Sequence, residues 1–375
     1  MKKKNIIFKN VGKFRDNCIS YYVNKHIKDE DFYNLGWGNI SEEMIKYIIP
    51  KINFDKELIG RYNDSQGTND LICEIIRFIH KKSGLKFKKE NILITNGVTS
   101  SIFLLSYYFK NFLNIDTILL QNPTYDTAIN IFKSQDYKMK TIDYKLTKNF
   151  DKNIKLAYLM FKFQNPTGAY IEKTKAEEFK KNLLKTSYLI EDDSYGLLEK
   201  HSEINIIRDK KYLYLSSFSK YIFPGLRLGY IVADKDIINE LKTIQKYYIS
   251  YPNILSQIVL FNNFKTGKIN IEIKNKIKIL DIKQKLFERF LSSKTKKLIS
   301  RNGKTAFYYW LKFPQNVDLH NLFIELLKNK ILVIPGDIYF VNNKYNALRI
   351  CLSPININDI PIAAKKLSGI IEKYV

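Results

Sequence analysis

The chain has 375 residues, enough to bury a large core, and its hydrophobic content of 45% excludes an intrinsically disordered protein. The formal net charge of +25 would suit a binder of nucleic acid or of an anionic surface, but the lysines are scattered through every segment rather than gathered in one basic block. We therefore expect lysines such as Lys175, Lys180 and Lys185 to lie on solvated faces, and we expect no nucleic-acid partner.

Cysteine usage and hydropathy indicate where the protein works. Cys18, Cys73 and Cys351 have no paired spacing, which favours reduced thiols in a cytosol over a disulfide framework. Four histidines leave little scope for a metal site, and we expect none. The basic N-terminus lacks the apolar region of a signal peptide, and no apolar run approaches the length of a membrane span. We expect a soluble, cytoplasmic protein that does not bind membranes.

Two polar stretches that contain glycine follow an N-terminal arm of about 35 residues. In the first, Gly36 and Gly38 flank Trp37, which suggests a tight loop where backbone approaches a ligand, although taken alone the pattern favours an ordinary glycine turn. The second, residues 60–67, contains Tyr62 and precedes an amphipathic helix. Taken alone, Tyr62 would be a structural residue.

A strand, a glycine turn and a helix are predicted next, with the strand at residues 92–94 and the helix at residues 101–112. Backbone N–H groups near Val98 and Thr99 would favour an anion, whereas a simple strand-to-helix turn would need only a Ser/Thr cap. A further strand ends near Tyr125, whose flat ring could stack on a planar ligand or merely cap the strand.

Two more strands are predicted to end in polar residues. The first, residues 155–161, is followed by the turn sequence Asn165-Pro-Thr-Gly. The second ends in Glu191, Asp192 and Asp193, and a buried strand rarely ends in three carboxylates unless they meet a cation. A metal is the rival explanation, but no histidine lies nearby in the sequence. Because side chains alternate along a strand, Glu191 and Asp193 should point away from Asp192.

Residues 212–232 place a lysine and an arginine between two apolar runs that predict buried strands. The turn between them contains the hydroxyls of Ser216, Ser217 and Ser219. Desolvation would lower the pKa of Lys220 and free its amine as a nucleophile. Hydroxyls together with Arg227 suit a phosphate. The combination predicts a lysine that holds an aldehyde cofactor bearing a phosphate, which is pyridoxal phosphate bound as a Schiff base.

The C-terminal part is predicted to be more helical. A long helix at residues 234–248 should leave the large sheet, and residues 260–300 form a lysine-rich helical stretch. Arg349 lies in a late strand, where its planar guanidinium could hold a carboxylate or could simply be a surface arginine. Strands that alternate with helices from about residue 45 to 245 predict a mostly parallel, doubly wound α/β sheet.

The lysine segment, Ser217-Phe-Ser-Lys220-x3-Pro-Gly-Leu-Arg227-Leu-Gly-Tyr230, resembles the cofactor-lysine segment of the class I/II aminotransferases, which are fold type I enzymes of pyridoxal phosphate. Phe163-Gln164 before the turn resembles the branch with 2-aminoadipate-type aminotransferases and MocR-like regulators. The resemblance runs from about residue 33 to 353. It implies an N-terminal arm with part of the small domain (1–44), a large domain with the doubly wound sheet (45–245), and a smaller α+β domain (246–375).

The resemblance also implies a role for each residue that matches a motif of the family. Lys220 would form the Schiff base, and Asp192 would contact the pyridine nitrogen. The phosphate would be held by Val98, Thr99, Ser217, Ser219 and Arg227. Tyr125 would stack on the ring, while Asn165 and Tyr195 would contact its phenolic oxygen. These residues form the implied catalytic and cofactor site.

Substrate and partner contacts follow from the same resemblance. Trp37 and Gly38 would border the substrate together with Asn165, and Arg349 would bind its α-carboxylate. Tyr62 would reach the phosphate of a partner subunit's cofactor, which implies a homodimer. Residues 305 and 306 are Thr and Ala where the family usually has glycines, a departure that favours bulky or unusual donors.

The implied function is an aminotransferase that moves an amino group from an amino acid to a 2-oxo acid through the Lys220 Schiff base and pyridoxamine phosphate. One alternative is a decarboxylase, β-lyase, racemase or cyclase on the same scaffold, because cofactor motifs do not fix which bond at Cα is broken. Another is a cofactor-sensing regulator that binds nucleic acid. Fewer than forty residues precede the implied fold, which is too short for a winged-helix domain, so we expect the enzyme.

Overall fold

The computed structural model describes residues 32–45, 56–147, 150–199, 203–300, 307–342 and 346–375. Residues 305 and 306 and most of the predicted N-terminal arm lie outside these ranges. The helices are α1 (Lys56–Ile59), α2 (Asn69–Ser83), α3 (Val98–Asn111), α4 (Asp126–Ser134), α5 (Lys173–Leu184), α6 (Lys235–Ile249), α7 (Ile254–Lys265), α8 (Lys268–Phe290), α9 (Ser293–Lys297), α10 (Leu319–Lys328) and α11 (Ile360–Ile371). The strands are β1 (Tyr33–Asn34), β2 (Ile92–Thr95), β3 (Thr117–Asn122), β4 (Lys138–Asp143), β5 (Leu156–Leu159), β6 (Tyr188–Asp192), β7 (Tyr212–Ser217), β8 (Gly229–Val232), β9 (Tyr308–Lys312), β10 (Ile331–Leu332), β11 (Ile334–Pro335) and β12 (Ala347–Cys351).

Seven strands form the central sheet in the order β2-β8-β7-β6-β5-β3-β4. The neighbours from β7 to β4 pair in parallel, and β8 runs antiparallel to both β2 and β7. Strands such as β2, β5 and β7 are buried along their whole length, as expected where helices cover both faces of a sheet. The predicted α/β class with a mostly parallel, doubly wound sheet is confirmed.

The alternation of side chains along β6 divides the core between the two faces of the sheet. Ile190 packs in the cluster that includes residues of α3, α4 and α6. Leu189 packs in the cluster that includes residues of α2, α5, α7 and α8. Because the period of a strand is two, Asp192 shares the face of Ile190, and its two acidic neighbours share the face of Leu189.

A smaller antiparallel sheet, in the order β11-β12-β9, covers one end of the large sheet. Arg349 in β12 lies opposite Ile334 of β11 and Trp310 of β9. The short strand β1 pairs in parallel with β10, and the backbone N–H of Ser41 donates to the carbonyl of Ser353 at 2.9 Å. Residues 32–45 therefore lie against the C-terminal part of the chain, while the domain boundaries given above stay a prediction.

The bounds of two helices and the hydropathy of the helices can be compared with the expectations from sequence. Helix α3 begins at Val98, three residues before the predicted start, because Gly97 is its N-cap residue. Helix α6 spans Lys235–Ile249, one residue later than predicted at each end. Among the described residues, no helix combines the length and the apolar character that crossing a bilayer requires.

The expectation that the lysines lie on solvated faces is wrong for Lys180. Its side chain is only 1% exposed, and its ammonium forms a close ion pair with the Glu191 carboxylate. Lys180 Nζ also donates to the carbonyl of Asn205 at 3.0 Å. The acidic end of β6 accounts for this burial, because a lysine is buried only where its charge is paired and its N–H groups are bonded.

Candidate active site

A cavity of about 450 Å³ lies where the carboxyl ends of β6 and β7 face the smaller sheet. Every predicted site residue except Tyr62 lines it. The lining residues are Trp37, Gly38, Asn39, Val98, Thr99, Tyr125, Asp126, Met160, Asn165, Asp192, Ser194, Tyr195, Ser217, Ser219, Lys220, Pro224, Arg227, Tyr308, Ile334, Ile338, Tyr339 and Arg349. Ligands are expected at this edge of an open α/β sheet, where loops leave the strands.

Lys220 lies in the turn after β7, with its amine inside the cavity. Its Nζ donates to the backbone carbonyl of Gly38 at 2.6 Å and lies 5.6 Å from the centre of the Phe307 ring. Burial lowers the pKa of Lys220 to about 8, and the positive charges of Arg349 and Arg227 act in the same direction. A fraction of this amine is therefore neutral near neutral pH and can act as a nucleophile or a base.

One end of the cavity has the features of an anion site. Helix α3 begins there, and its N-cap residue Gly97 (φ 89°) provides no capping side chain. A Cβ atom at Gly97 would lie 3.1 Å from Nη2 of Arg227, so the guanidinium packs directly against the glycine. Arg227 itself has a left-handed backbone (φ 46°), a conformation that non-glycine residues adopt mainly at functional sites. Uncapped N–H groups and a guanidinium together favour a phosphate.

The serines of the lysine turn have different partners. The Ser217 hydroxyl donates to the carbonyl of Leu228 at 3.0 Å and accepts from the backbone N–H of Ser219 at 3.0 Å. The Ser219 hydroxyl is buried and has no hydrogen-bond partner within the described part of the chain. Ser217 therefore orders the turn, whereas Ser219 has the hydroxyl that can donate to an anion in the cavity.

Asp192 is buried at the cavity floor. Its Oδ2 accepts from the Tyr158 hydroxyl at 2.6 Å, and its Oδ1 accepts from Ser194 through N–H (3.0 Å) and Oγ (2.5 Å). Burial raises the pKa of Asp192, while the donors from Ser194 and Tyr158 oppose that rise. A buried carboxylate held in this way is suited to pair with a cationic ring nitrogen.

The carboxylates on either side of Asp192, those of Glu191 in β6 and Asp193 just after it, point to the opposite face, as the alternation of the strand predicts. Glu191 accepts from Tyr212 and pairs with Lys180, both at short range. Asp193 Oδ2 accepts from Tyr214 at 2.8 Å, and burial raises the pKa of Asp193 to about 7 against the opposing charge of Lys162. These contacts offset the negative charge at the end of β6 and hold the strand in place beside Asp192.

Arg349 lies at the other end of the cavity, fixed between two aromatic rings. Its guanidinium carbon is 4.6 Å from the Tyr308 ring centre and 5.0 Å from that of Tyr339. Its Nη1 donates to Asn165 Oδ1 at 3.0 Å and its Nη2 to the Gly36 carbonyl at 2.8 Å. Burial disfavours its charge, but neighbouring groups, first Tyr339 and then Tyr308, raise the pKa of Arg349. The result is a rigid cation that suits a carboxylate.

Three further predicted residues line the space between Asp192 and Arg349. The Tyr125 hydroxyl lies 3.5 Å from that of Thr99, beside the start of α3. The Tyr195 hydroxyl lies 2.7 Å from that of Tyr308. Asn165 uses its carbonyl oxygen for Arg349, which leaves its amide N–H groups to donate to a ligand.

Tyr62 is absent from the cavity wall. Its side chain is 89% exposed, and its ring meets Tyr251 edge-on at 6.0 Å between centroids. The predicted contact of Tyr62 with a partner subunit's site stays a prediction.

Three residues to which the sequence assigned no role in the site also line the cavity: Asp126, Tyr308 and Tyr339. Asp126 directly follows Tyr125, so its place next to a predicted ligand residue was the available signal. Tyr308 and Tyr339 lie in aromatic stretches that gave no reason to place them around Arg349. Their approach depends on the pairing of β9, β11 and β12.

Comparison with known proteins identifies relatives across nearly the whole chain. The sequence profile of the family described as "Aminotransferase class I and II" matches residues 30–367. The HTH-type transcriptional regulator NorG of Staphylococcus aureus is 28% identical over an alignment that covers 94% of this chain and 83% of NorG.

Solved aminotransferases share the fold. The kynurenine aminotransferase of Pyrococcus horikoshii, solved in complex with PMP, gives a TM-score of 0.77 at 20% identity and covers 94% of this chain and 93% of its own. The α-aminoadipate aminotransferase LysN of Thermus thermophilus gives a TM-score of 0.75 at 19% identity, with 97% of both chains covered. LysN is compatible with the predicted 2-aminoadipate-type branch.

Proposed function

The chain belongs to the aminotransferase class I and II family, and we propose that it is an aminotransferase that moves an amino group from an amino acid to a 2-oxo acid. One observation carries this proposal. A lysine of lowered pKa, a buried aspartate and a fixed arginine line the same cavity, as Lys220, Asp192 and Arg349. These groups supply a base, a partner for a ring cation and a partner for a carboxylate.

The cofactor of this family is pyridoxal phosphate, and the residues of the cavity fit it. The phosphate would be held by the Ser219 hydroxyl, which has no partner among the described residues, by the start of α3 and by Arg227. Asp192 would hold the ring nitrogen, and Tyr125 would lie against the ring. When bound, the cofactor supplies an electron-withdrawing ring that stabilises negative charge on the substrate's α carbon.

Arg349, Lys220 and Asp192 then have separate roles in the reaction. Arg349 binds the substrate carboxylate, and the rings of Tyr308 and Tyr339 keep its guanidinium plane fixed, which orients the α carbon. Lys220, once its amine is neutral, takes the proton from that carbon and returns it as a general acid. Tyr158 and Ser194 donate to the Asp192 carboxylate, which favours its ionised form against the effect of burial and suits it to pair with a cation.

The test is the visible absorbance of the protein loaded with pyridoxal phosphate, recorded as single amino acids are added. We expect at least one donor to bleach the band with one equivalent of 2-oxo acid released, and an added 2-oxo acid to restore it. The Lys220→Ala variant should give no such cycle. Release of carbon dioxide, ammonia or the enantiomer without a 2-oxo acid would instead identify one of the other reactions of this scaffold.

A second candidate function is regulation of transcription, because NorG, which aligns with 94% of this chain, is named as a transcriptional regulator. The cavity supports cofactor binding under either proposal, so turnover and DNA binding must both be measured. A regulator should bind DNA with an affinity that falls steeply with salt, and its bound cofactor should respond to an amino acid without repeated turnover.

A further inference from the structure

We propose that the site accepts amino acids with large apolar or aromatic side chains and discriminates against those that carry a second carboxylate. This inference rests on the proposed aminotransferase function and adds the class of donor. It comes from the part of the cavity lining that would face the substrate's side chain, once its amino group lies near Lys220 and its α-carboxylate near Arg349.

The positive charges of the cavity wall are already assigned to other groups. The basic residues among the described cavity-lining residues are Lys220, Arg227 and Arg349. Each has a role in the proposed reaction: Lys220 as the base, Arg227, which lies against Gly97, for the phosphate, and Arg349 for the α-carboxylate. This part of the wall therefore offers no further cation to a second carboxylate, and an unpaired buried carboxylate is strongly disfavoured.

Asp126 adds a negative charge to the cavity wall. This carboxylate lines the cavity and helps to raise the pKa of Arg349, so it acts on the cation that the α-carboxylate must use. A donor with a second carboxylate would meet Asp126 as a like charge. A donor with an ammonium would meet the positive charge of Arg349, on which Asp126 also acts.

One side of the cavity has an apolar wall. Trp37, Ile338, Ile334 and Tyr339 line the cavity on the side of the smaller sheet. The same four residues pack in or against one hydrophobic cluster built around Trp310. A side chain that extends from the α carbon, with its carboxylate at Arg349 and its nitrogen near Lys220, meets this wall. Burial of apolar area against such a wall favours large hydrocarbon side chains.

The first experiment measures the donor half-reaction as the rate of bleaching of the cofactor band, divided by donor concentration. Phenylalanine, tyrosine and leucine should exceed aspartate, glutamate, lysine and alanine by about 10- to 100-fold. If an acidic, basic or small donor is fastest, the inference on the donor class is wrong while the aminotransferase function stands. If no amino acid reacts, both fall together.

The second experiment changes the wall. Ile338→Lys adds a cation and should raise the ratio of the glutamate rate to the phenylalanine rate by about tenfold or more. Ile362→Lys, at a 55% exposed position on α11, is the matched control and should leave the ratio unchanged. An unchanged ratio in Ile338→Lys, with cofactor binding and melting temperature preserved, would contradict the inference.

A third variant keeps the inference testable if Ile338→Lys does not fold. Trp37→Ala removes apolar area from the wall but leaves the cations in place. It should lower the phenylalanine rate by about tenfold, mainly through KM, and change the alanine rate by less than about threefold. Equal losses for both donors would show that Trp37 supports the site as a whole, and would overturn its assignment to the side-chain wall.

Discussion

Two serines, two residues apart in the same turn, show how differently neighbouring hydroxyls can be used. Ser217 has both a donor and an acceptor bond within the turn, to Leu228 and Ser219. Ser219 turns its hydroxyl into the cavity and leaves it unpartnered among the described residues. A buried hydroxyl without a partner is unfavourable, so a ligand that accepts from it is stabilised.

This difference predicts opposite phenotypes for two single-atom deletions. Ser219→Ala should weaken pyridoxal phosphate binding by about 10- to 100-fold, because a hydrogen bond to a charged group is lost, with little change in stability. Ser217→Ala should lower the free energy of unfolding by about 1–2 kcal/mol, because two bonds of the turn are lost. Cofactor titration and thermal melting of the apo proteins measure the two effects. An equal effect of both variants on cofactor affinity would contradict this division.

At the residue scale, the sequence predicted the groups that occur in local motifs and missed those that assemble from distant strands. Lys220 and Asp192 could be found because their neighbours in sequence are informative. Tyr308 and Tyr339 meet Arg349 only through pairing in the smaller sheet, which no local pattern encodes. The burial of Lys180 could not be predicted either, because its partner Glu191 lies on another element.

At the element scale, the start of α3 depends on a glycine with two separate functions. Gly97 has φ 89° and ψ 168°, a region that is nearly exclusive to glycine. It also has no side chain where the Arg227 guanidinium packs, since a Cβ would lie 3.1 Å from Nη2. The backbone requirement and the space requirement can be separated by comparison with a second glycine.

Gly97→Ala should lose both stability and cofactor affinity, whereas Gly84→Ala should lose stability alone. Gly84, at the end of α2, has φ 74°, and a Cβ there would meet no heavy atom within 4 Å. Each substitution should cost about 1–3 kcal/mol of backbone strain, measured by denaturant unfolding. Only Gly97→Ala displaces Arg227, and we expect at least a tenfold loss of affinity for pyridoxal phosphate there. Unchanged affinity in Gly97→Ala would mean that Arg227 is not held by this contact.

The elements themselves were well predicted because buried strands and amphipathic helices have distinct periods. The sequence predicted a strand at residues 92–94 and a second apolar strand ending at residue 232, and the structure has β2 and β8 at those positions. The direction of β8 could not be predicted from its sequence, since a buried strand has the same apolar pattern in either orientation. Its reversal follows from the short lysine turn, which returns the chain beside β7.

At the scale of the whole molecule, the one predicted site residue that lies outside the cavity is also among the most exposed. Tyr62 meets Tyr251, and both belong to polar loops at the surface. Tyrosine is enriched at protein–protein interfaces, so the exposed Tyr62 ring suits a contact between subunits. In the predicted homodimer, the Tyr62 hydroxyl would donate to the phosphate bound by the partner subunit.

Mixed dimers test this arrangement in trans. Neither the Lys220→Ala chain nor the Tyr62→Ala chain should be fully active alone. If Tyr62 acts across the interface, however, a dimer with one chain of each kind contains one site in which both residues are intact. Co-expression should therefore recover activity above the sum of the two parents. Lys220→Ala with Asp192→Asn is the control, because these two residues line the same cavity of one chain and no mixed dimer then has an intact site. If Tyr62→Ala gives no more recovery than this control, Tyr62 does not act on the partner subunit's site.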